Sequence, residues 1–473
     1  MKKIIFLICV ISFFWACQQD EINSSPDFKL EFSNDTIKFD TVFTQLGSVT
    51  KILKVYNRDK EAVVISKIYL GADTKNYRLN ISGMPANAKE NLKIEGKDSL
   101  YIFVEVTLDP NNQSNPLLIQ DSIVFETNGN KQDVDVLAYG QDVHILKNGY
   151  LSINKITADK PWLCIDTIKV AKDQTLTIEA GAVLHFYRSS LLKVEGSLIC
   201  NGTKEKPIIL TGSRLEKMYD DVPGQWYGIW LVSESKAHKL EYTFVKNANV
   251  GIQCDLPDEN NNDWMLQLIN CKFEHHALTG MSSTGSKILA INSIFADCGF
   301  ASVYISYGGF YEFYHCTIAN FWNCGACQPR TTPGLILSNY IMDAEENVYP
   351  NNLQKASFSN CIIYGNQTEG EIGISGVEGT DLNFYFDNCL MKIDRKYDYS
   401  NPTNFNNNVV NPDEFTFKSD TAYNYELDTL SIAKDRGKPE IIQLYPPYLK
   451  YDLNAYDRSI DGFPDLGAYE RKD

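Results

Sequence analysis

Positive charge, long apolar runs and paired cysteine motifs are all scarce in this sequence. Lys and Arg number 44 against 60 Asp and Glu, for a net charge of −16. Removing the first sixteen residues takes Lys2 and Lys3 with them and leaves −18. No basic stripe is available to a nucleic-acid backbone, so nucleic acid is excluded as a partner. The acidity itself serves solubility. Beyond residue 16 no run is long and apolar enough for a transmembrane helix. Cys324-Gly-Ala-Cys327 is the one CxxC, so a four-ligand zinc site at matched spacing is missing. A local disulfide or simple burial explains that pair. No acidic loop of the calcium-binding type occurs.

What is present favours strands. The 473 residues suffice for two or three domains, and 44% are hydrophobic. The 27 Tyr and 24 Phe, with many Val, Ile and Thr, point to an all-β protein. At the N-terminus Lys2 and Lys3 precede an apolar run, Ile4 to Ala16, of secretory-signal length. Polarity switches at Cys17, followed by Gln18-Gln-Asp-Glu21. This resembles a bacterial lipoprotein signal. The resemblance implies a signal peptide over 1–16, lipid attachment at Cys17 and a tether over 17–26. The acidic stretch after Cys17 is similar to the surface-export signal of Bacteroidetes lipoproteins. Expected, then, is an exported protein, lipid-anchored at the outer membrane and exposed on the cell surface, touching membrane only through its anchor.

Residues 27–142 read as short strands between turns. Thr50 to Tyr56 alternates, Ala62 to Leu70 ends at Gly71, and Ser99 to Val106 stops before Asp109-Pro110. Asp121 to Thr127 meets Asn128-Gly129, a tight-turn pair, and Val134 to Ala138 closes the set. This spacing predicts a β-sandwich. Asp40-Thr-Val-Phe43, with a strand ending near Asn57, resembles Ig-like domains related to PapD and the abnormal-spindle type. Such a domain is expected to be a spacer.

From residue 265 a cassette recurs: apolar, any, apolar, Asn, Cys or a small residue, then more apolar. It stands at Leu268–Cys271, Ala290–Ser293, Phe313–Cys316, Leu337–Tyr340, Phe358–Cys361 and Phe386–Cys389. The closing positions 271, 293, 316, 340, 361 and 389 lie 22, 23, 24, 21 and 28 residues apart. A period in the low twenties with β-type residues predicts stacked β-coils. Asn is then expected in ladders at a bend and Cys in a narrow core. Leu176 to Leu184, Leu192 to Thr203, Lys206 to Thr211, Gly224 to Ile229 and Leu240 to Ala248 are similar to the opening coils of bacterial right-handed parallel β-helix proteins, the pectate-lyase-like superfamily. Asp435-Arg-Gly437, Asp452, Arg458 and Asp465 to Glu470 resemble the closing segment of Bacteroidetes surface proteins of that type. The expected architecture is a right-handed parallel β-helix over 145–410, with C-terminal coils and a cap over 411–473 that seals the last coil; the resemblance covers about 150–473, which implies roughly a dozen coils.

The resemblance implies a scaffold that also carries polysaccharide lyases and glycoside hydrolases, whose chemistry needs clustered acids. Asp297, Asp343 and Asp387 stand at different offsets in their cassettes, and Asp220-Asp221 precedes the repeat. His275-His276 reads as loop surface. The aromatic stretch Tyr304 to Arg330 supplies candidate glycan contacts, namely Tyr304, Tyr307, Tyr311, Trp322 and Arg330, with Trp264 beside them. The leading expectation is a non-enzymatic surface module that binds or displays, with a glycan or another surface component as partner. No metal site and no cofactor are predicted; Ca²⁺ is compatible with the scaffold but has no residue support. A lyase or hydrolase is the first alternative, and an adhesive or structural protein the second.

Overall fold

The computed structural model describes residues 21–471 except 73–74, 111–116, 233–236, 256–262, 324, 326 and 461. Residues 1–16, expected to be a signal peptide, and Cys17, the expected lipid-attachment residue, lie outside the described residues. The chain divides into two compact units, 1–143 and 144–473.

The first unit is a β-sandwich of two five-stranded sheets. Alternation builds it: in Ser99–Val106 the buried residues Leu100, Ile102, Val104 and Val106 face the opposite sheet. One pairing is parallel, between Thr36–Phe43 and Asn130–Gln141; the others in these sheets are antiparallel. Residues 21–26, read as tether, are tied down here. The Asn23 N–H donates to Ala62 O at 2.8 Å, and Asn128 Nδ2 donates to Asn23 O at 2.9 Å.

The second unit is a right-handed parallel β-helix. One coil is represented by Lys287–Ile291, Ile294–Cys298 and Ala301–Ser306. Strands equivalent to these form a first, second and third stack. The first stack is a ten-stranded parallel sheet; the second and third join into one eighteen-stranded sheet, because the long strand Trp162–Val170 pairs with both Val183–Phe186 and Leu191–Val194. Inside, aromatic rings lie one above another. Phe313, Phe358, Phe386 and Phe405 are stacked at 4.7, 5.0 and 5.6 Å between centroids.

The corner between first and second stacks explains the cassette. Asn270, Asn292, His315, Asn360 and Asn388 all have left-handed φ, between 47° and 56°, a conformation Asn tolerates. The next residue bridges coils. The Cys271 N–H donates to Ser293 Oγ at 3.1 Å, the Cys316 N–H to Cys361 Sγ at 3.4 Å and the Cys389 N–H to Asn408 Oδ1 at 2.7 Å. A small side chain with a lone pair is what this corner needs, so Cys, Ser and Asn interchange there. All four cassette cysteines are fully buried free thiols.

Leu337–Tyr340 does not belong to this ladder. Leu337 pairs with Ile305 and Ile374 in the third stack, while Phe313 pairs directly with Phe358. One coil of 45 residues therefore joins Cys316 to Cys361. It is lengthened by the segment 321–334 and by the hairpin of Tyr340–Met342 with Val348–Pro350. Ten strands in the first stack replace the expected dozen coils.

The C-terminal segment runs back along the outside of the helix. Asn388 Nδ2 donates to Arg436 O, Asn360 Nδ2 to Lys438 O, and Asn292 Nδ2 to Tyr448 O and Tyr451 O, at 2.8 to 3.1 Å. Gly467 N–H reaches Asn360 O, and Ala468 N–H reaches Thr317 Oγ1. Asp465–Glu470 thus lies against middle coils and does not seal the last one. Its apolar residues cover an outer stripe of the second stack: Phe417, Tyr425, Leu453 and Leu466 pack on Ile294, Ala319, Ile362 and Leu390. Arg458, fully buried, ties this segment down through Glu470, Asn292 Oδ1 and Gly467 O.

Candidate functional site

The tail covers much of the second stack. It also covers part of the first, where Ile441, Leu449, Tyr445 and Tyr448 pack on Ile269, Leu289, Ile291 and Tyr314. The third stack is the face on which no such covering segment packs among the described residues. Its outward row runs in register as Tyr150, Lys169, Lys193, Trp230, Gln253, Ser282, Tyr304 and Ile336. An aromatic ring recurs at every third strand, at Tyr150, Trp230 and Tyr304. At about 4.8 Å per strand the rings are about 14 Å apart.

The side chains between the rings fix them. Tyr150 Oη donates to Glu195 Oε2 at 3.0 Å, and Lys193 Nζ donates to Glu195 Oε1 at 2.9 Å. Lys169 lies over the Tyr150 ring at 5.4 Å and Lys193 over Trp230 at 5.3 Å. Trp230 Nε1 donates to Asp255 Oδ2 at 2.7 Å, and Gln253 Nε2 to Asp255 Oδ1 at 2.9 Å. The hydrogen bond from Lys193, with that from Tyr150, holds the Glu195 carboxyl below its usual range despite some desolvation. The row therefore offers flat rings, fixed carboxylates, an amide and two cations along one open strip.

The sequence-predicted residues scatter relative to this strip. Tyr304 is in it, edge-on to Phe300 at 5.6 Å between centroids. Tyr307 sits at the corner after it with φ of 59°. Trp322 packs against Gly299 at the corner before it, its Nε1 donating to Gln328 O at 3.1 Å. Trp264 lies on the first stack, tilted against Phe310 at 5.7 Å under Lys287. Tyr311 is in the core: its hydroxyl bonds Ser283 Oγ at 2.9 Å and accepts from the Ser286 N–H. Arg330 is buried in a bidentate pair with Glu371 at 2.7 and 2.8 Å; Glu371 also accepts from the Gly334 and Gln367 N–H groups. That pair pins two insertions together. Sequence reasoning missed Tyr150 and Trp230, because the loops between their strands differ in length and hide the register.

A second polar group lies where the second and third stacks meet. His275 Nε2 is 3.3 Å from Asp221 Oδ1, and Lys246 Nζ is 3.4 Å from the same oxygen. One coil further, Asp297 accepts from the Phe321 N–H at 3.2 Å and from the Tyr425 hydroxyl. His275 and His276, read from sequence as loop surface, end the strand Lys272–His276 and are both buried. Cys327 is disulfide-bonded, while Cys324 lies outside the described residues. Among the described residues no group of three or more His, Cys, Asp and Glu is placed to hold a metal ion.

Fold and site together describe a β-helix carrying an open aromatic and polar strip, preceded in the chain by a β-sandwich. The comparisons agree with the solenoid: residues 258–411 match the family model for a right-handed beta helix region. No curated protein matches. Among solved structures, a protein of unknown function from Porphyromonas gingivalis W83 is 12% identical, over 26% of this chain and 59% of that one, with a TM-score of 0.17. The PapD-like domain 7 of human CEP192 is 13% identical, over 25% of this chain and 91% of that one, also at 0.17. The VesB protease of Vibrio cholerae is 9% identical over 24% of this chain, at 0.17, and the match spans about a third of its length, 31%.

Proposed function

We propose that this protein is a surface-displayed lipoprotein, anchored through Cys17, whose β-helix binds glycans along the outward row of the third stack. The observation that carries this reading is the in-register recurrence of Tyr150, Trp230 and Tyr304 with charged and amide groups between them. Aromatic faces pack on the C–H faces of sugar rings, and fixed carboxylates and amides bond hydroxyls. The Ig-like resemblance of the sandwich fits a spacer role. Incorporation of labelled fatty acid, lost in Cys17→Ser, tests the anchor.

A glycan array with the mature chain, followed by calorimetry on the best ligand, tests the binding. Trp230→Ala and Tyr304→Ala are each expected to weaken it by about tenfold or more. Binding unchanged in both variants, or absent for every glycan, sinks the reading. A lyase or hydrolase is the second reading, favoured by the gathering of Asp221, Glu274, Asp297 and His275 at one corner. New reducing ends or unsaturated uronide absorbance in the same samples decides for it.

A further inference from the structure

Asp465–Glu470 lies on middle coils, so the solenoid must end by other means. Its last half-turn has two strands of two residues each, Phe405–Asn406 and Val409–Val410. In the third stack no strand follows Ile372–Ser375, which pairs back with Leu335–Ser338, among the described residues. Side chains stand where the backbone of a further coil would bond. The Tyr397 hydroxyl accepts from the Ile374 N–H at 2.9 Å and donates to Ile374 O at 3.2 Å. Asn411 Oδ1 accepts from the Ile393 N–H at 2.8 Å, and its Nδ2 donates to Ile393 O at 2.9 Å. Asn404 Nδ2 donates to Phe384 O at 2.9 Å. A primary amide carries a donor and an acceptor, as a peptide group does, and a hydroxyl offers both on one atom.

We propose that residues 396–412 are a stopper for the solenoid: Tyr397, Asn404 and Asn411 occupy the hydrogen-bonding places of the missing coil, and this end thereby refuses a second copy of the chain. Six of the eleven residues 401–411 are Asn, which supplies the amides, and Pro402 and Pro412 bracket them. Pro412 has no N–H with which to extend the sheet past Asn411. The Tyr397 ring packs on the apolar interior, with exposed Lys396 over it at 5.1 Å. Short strands, proline and lysine at an edge all make it a poor template for another chain.

An open end of parallel coils presents a row of unpaired N–H and C=O groups. A head-to-tail contact between two such ends does not close on itself and adds copies without limit. The stopper confines the exposed edge to two short strands. That the chain stays unassembled at this end therefore rests on three side chains.

Hydrogen exchange and sedimentation velocity on the full chain, each at low and high protein concentration, test the stopper. The triple variant Tyr397→Phe, Asn404→Leu and Asn411→Leu keeps the side-chain volumes and removes the bonds. At low concentration the amides of Ile374 and Ile393 are expected to lose about tenfold or more in protection. The Leu390 and Lys392 amides, bonded back to Cys361 O and Ile363 O, should hold. At high concentration the variant should self-associate where the wild type does not, and protection at Ile374 and Ile393 should return. If Leu390 and Lys392 lose protection as well, Tyr397→Phe alone, which removes one oxygen, is judged by the same two readouts. Unchanged protection at Ile374 and Ile393, or a variant no more associated than the wild type, overturns the proposal.

Discussion

The backbone N–H of Cys316 donates to the sulfur of Cys361 across 45 residues of chain, at 3.4 Å. The same thiol donates to Phe313 O of the coil below at 3.5 Å. A corner residue therefore bonds its neighbour coil in both directions, and the chain between can lengthen without disturbing the stack.

The ring stack inside that corner should dominate the stability of the helix. Phe358 lies between Phe313 and Phe386 at 4.7 and 5.0 Å and is fully buried. Phe358→Ala is expected to cost about 3–5 kcal/mol. Denaturant unfolding followed by near-UV circular dichroism measures it; a loss below about 1 kcal/mol would mean the stack is not packed as described.

Arg330 acts as a fastener. Removing it strands Glu371, which is fully buried. Arg330→Ala should destabilise by about 3–5 kcal/mol and open 321–334 to protease, whereas Arg330→Met with Glu371→Leu should recover most of the loss. A double variant as unstable as the single one would contradict this account.

Acid should weaken the fold. Burial holds His185 at about 4, His238 and His276 at about 3, and His275 and His315 below the ordinary range. Their accepting contacts need a bare nitrogen: His238 Nδ1 accepts from the Leu198 N–H and His276 Nδ1 from the Ala248 N–H. Unfolding below pH about 6.5 lets all five take up protons, so their stabilisation is lost as pH falls. Asp297 and Glu470, raised to about 7, take the opposite sign, as do Asp452 and Asp465, which burial also raises. The histidines take up protons nearest pH 6.5 and outnumber the carboxylates raised that far, so the balance is a net loss of stability as pH falls below about 6.5. Urea midpoints at pH 7.5 and 5.5 check this; an equal or higher midpoint at 5.5 contradicts it.

Local pattern carried the fold a long way and the site only part of the way. Asn before Cys was legible because one corner geometry repeats it. The sandwich strands were legible from alternation and turn residues. Leu337-Ser-Asn-Tyr340 misled because a third-stack strand can end in the same short pattern, and nothing local says which stack it serves. Tyr311 was readable in hindsight: it lies two residues from inward Phe313, so both face the core. Arg330 was not, since its partner lies 41 residues on, beyond an insertion. The row of Tyr150, Trp230 and Tyr304 emerges only when coils of unequal length are aligned by pairing.

The most direct test of the account is cross-linking along that row. Gln253 and Ser282 are paired on adjacent coils, and Tyr304 is one coil further. At about 4.8 Å between strands, Gln253→Cys with Ser282→Cys is within disulfide reach, and Gln253→Cys with Tyr304→Cys is not. Mild oxidation followed by peptide mass mapping should give a bond in the first pair only. A bond in the second pair, or none in the first, would show that the coils do not stack in this register.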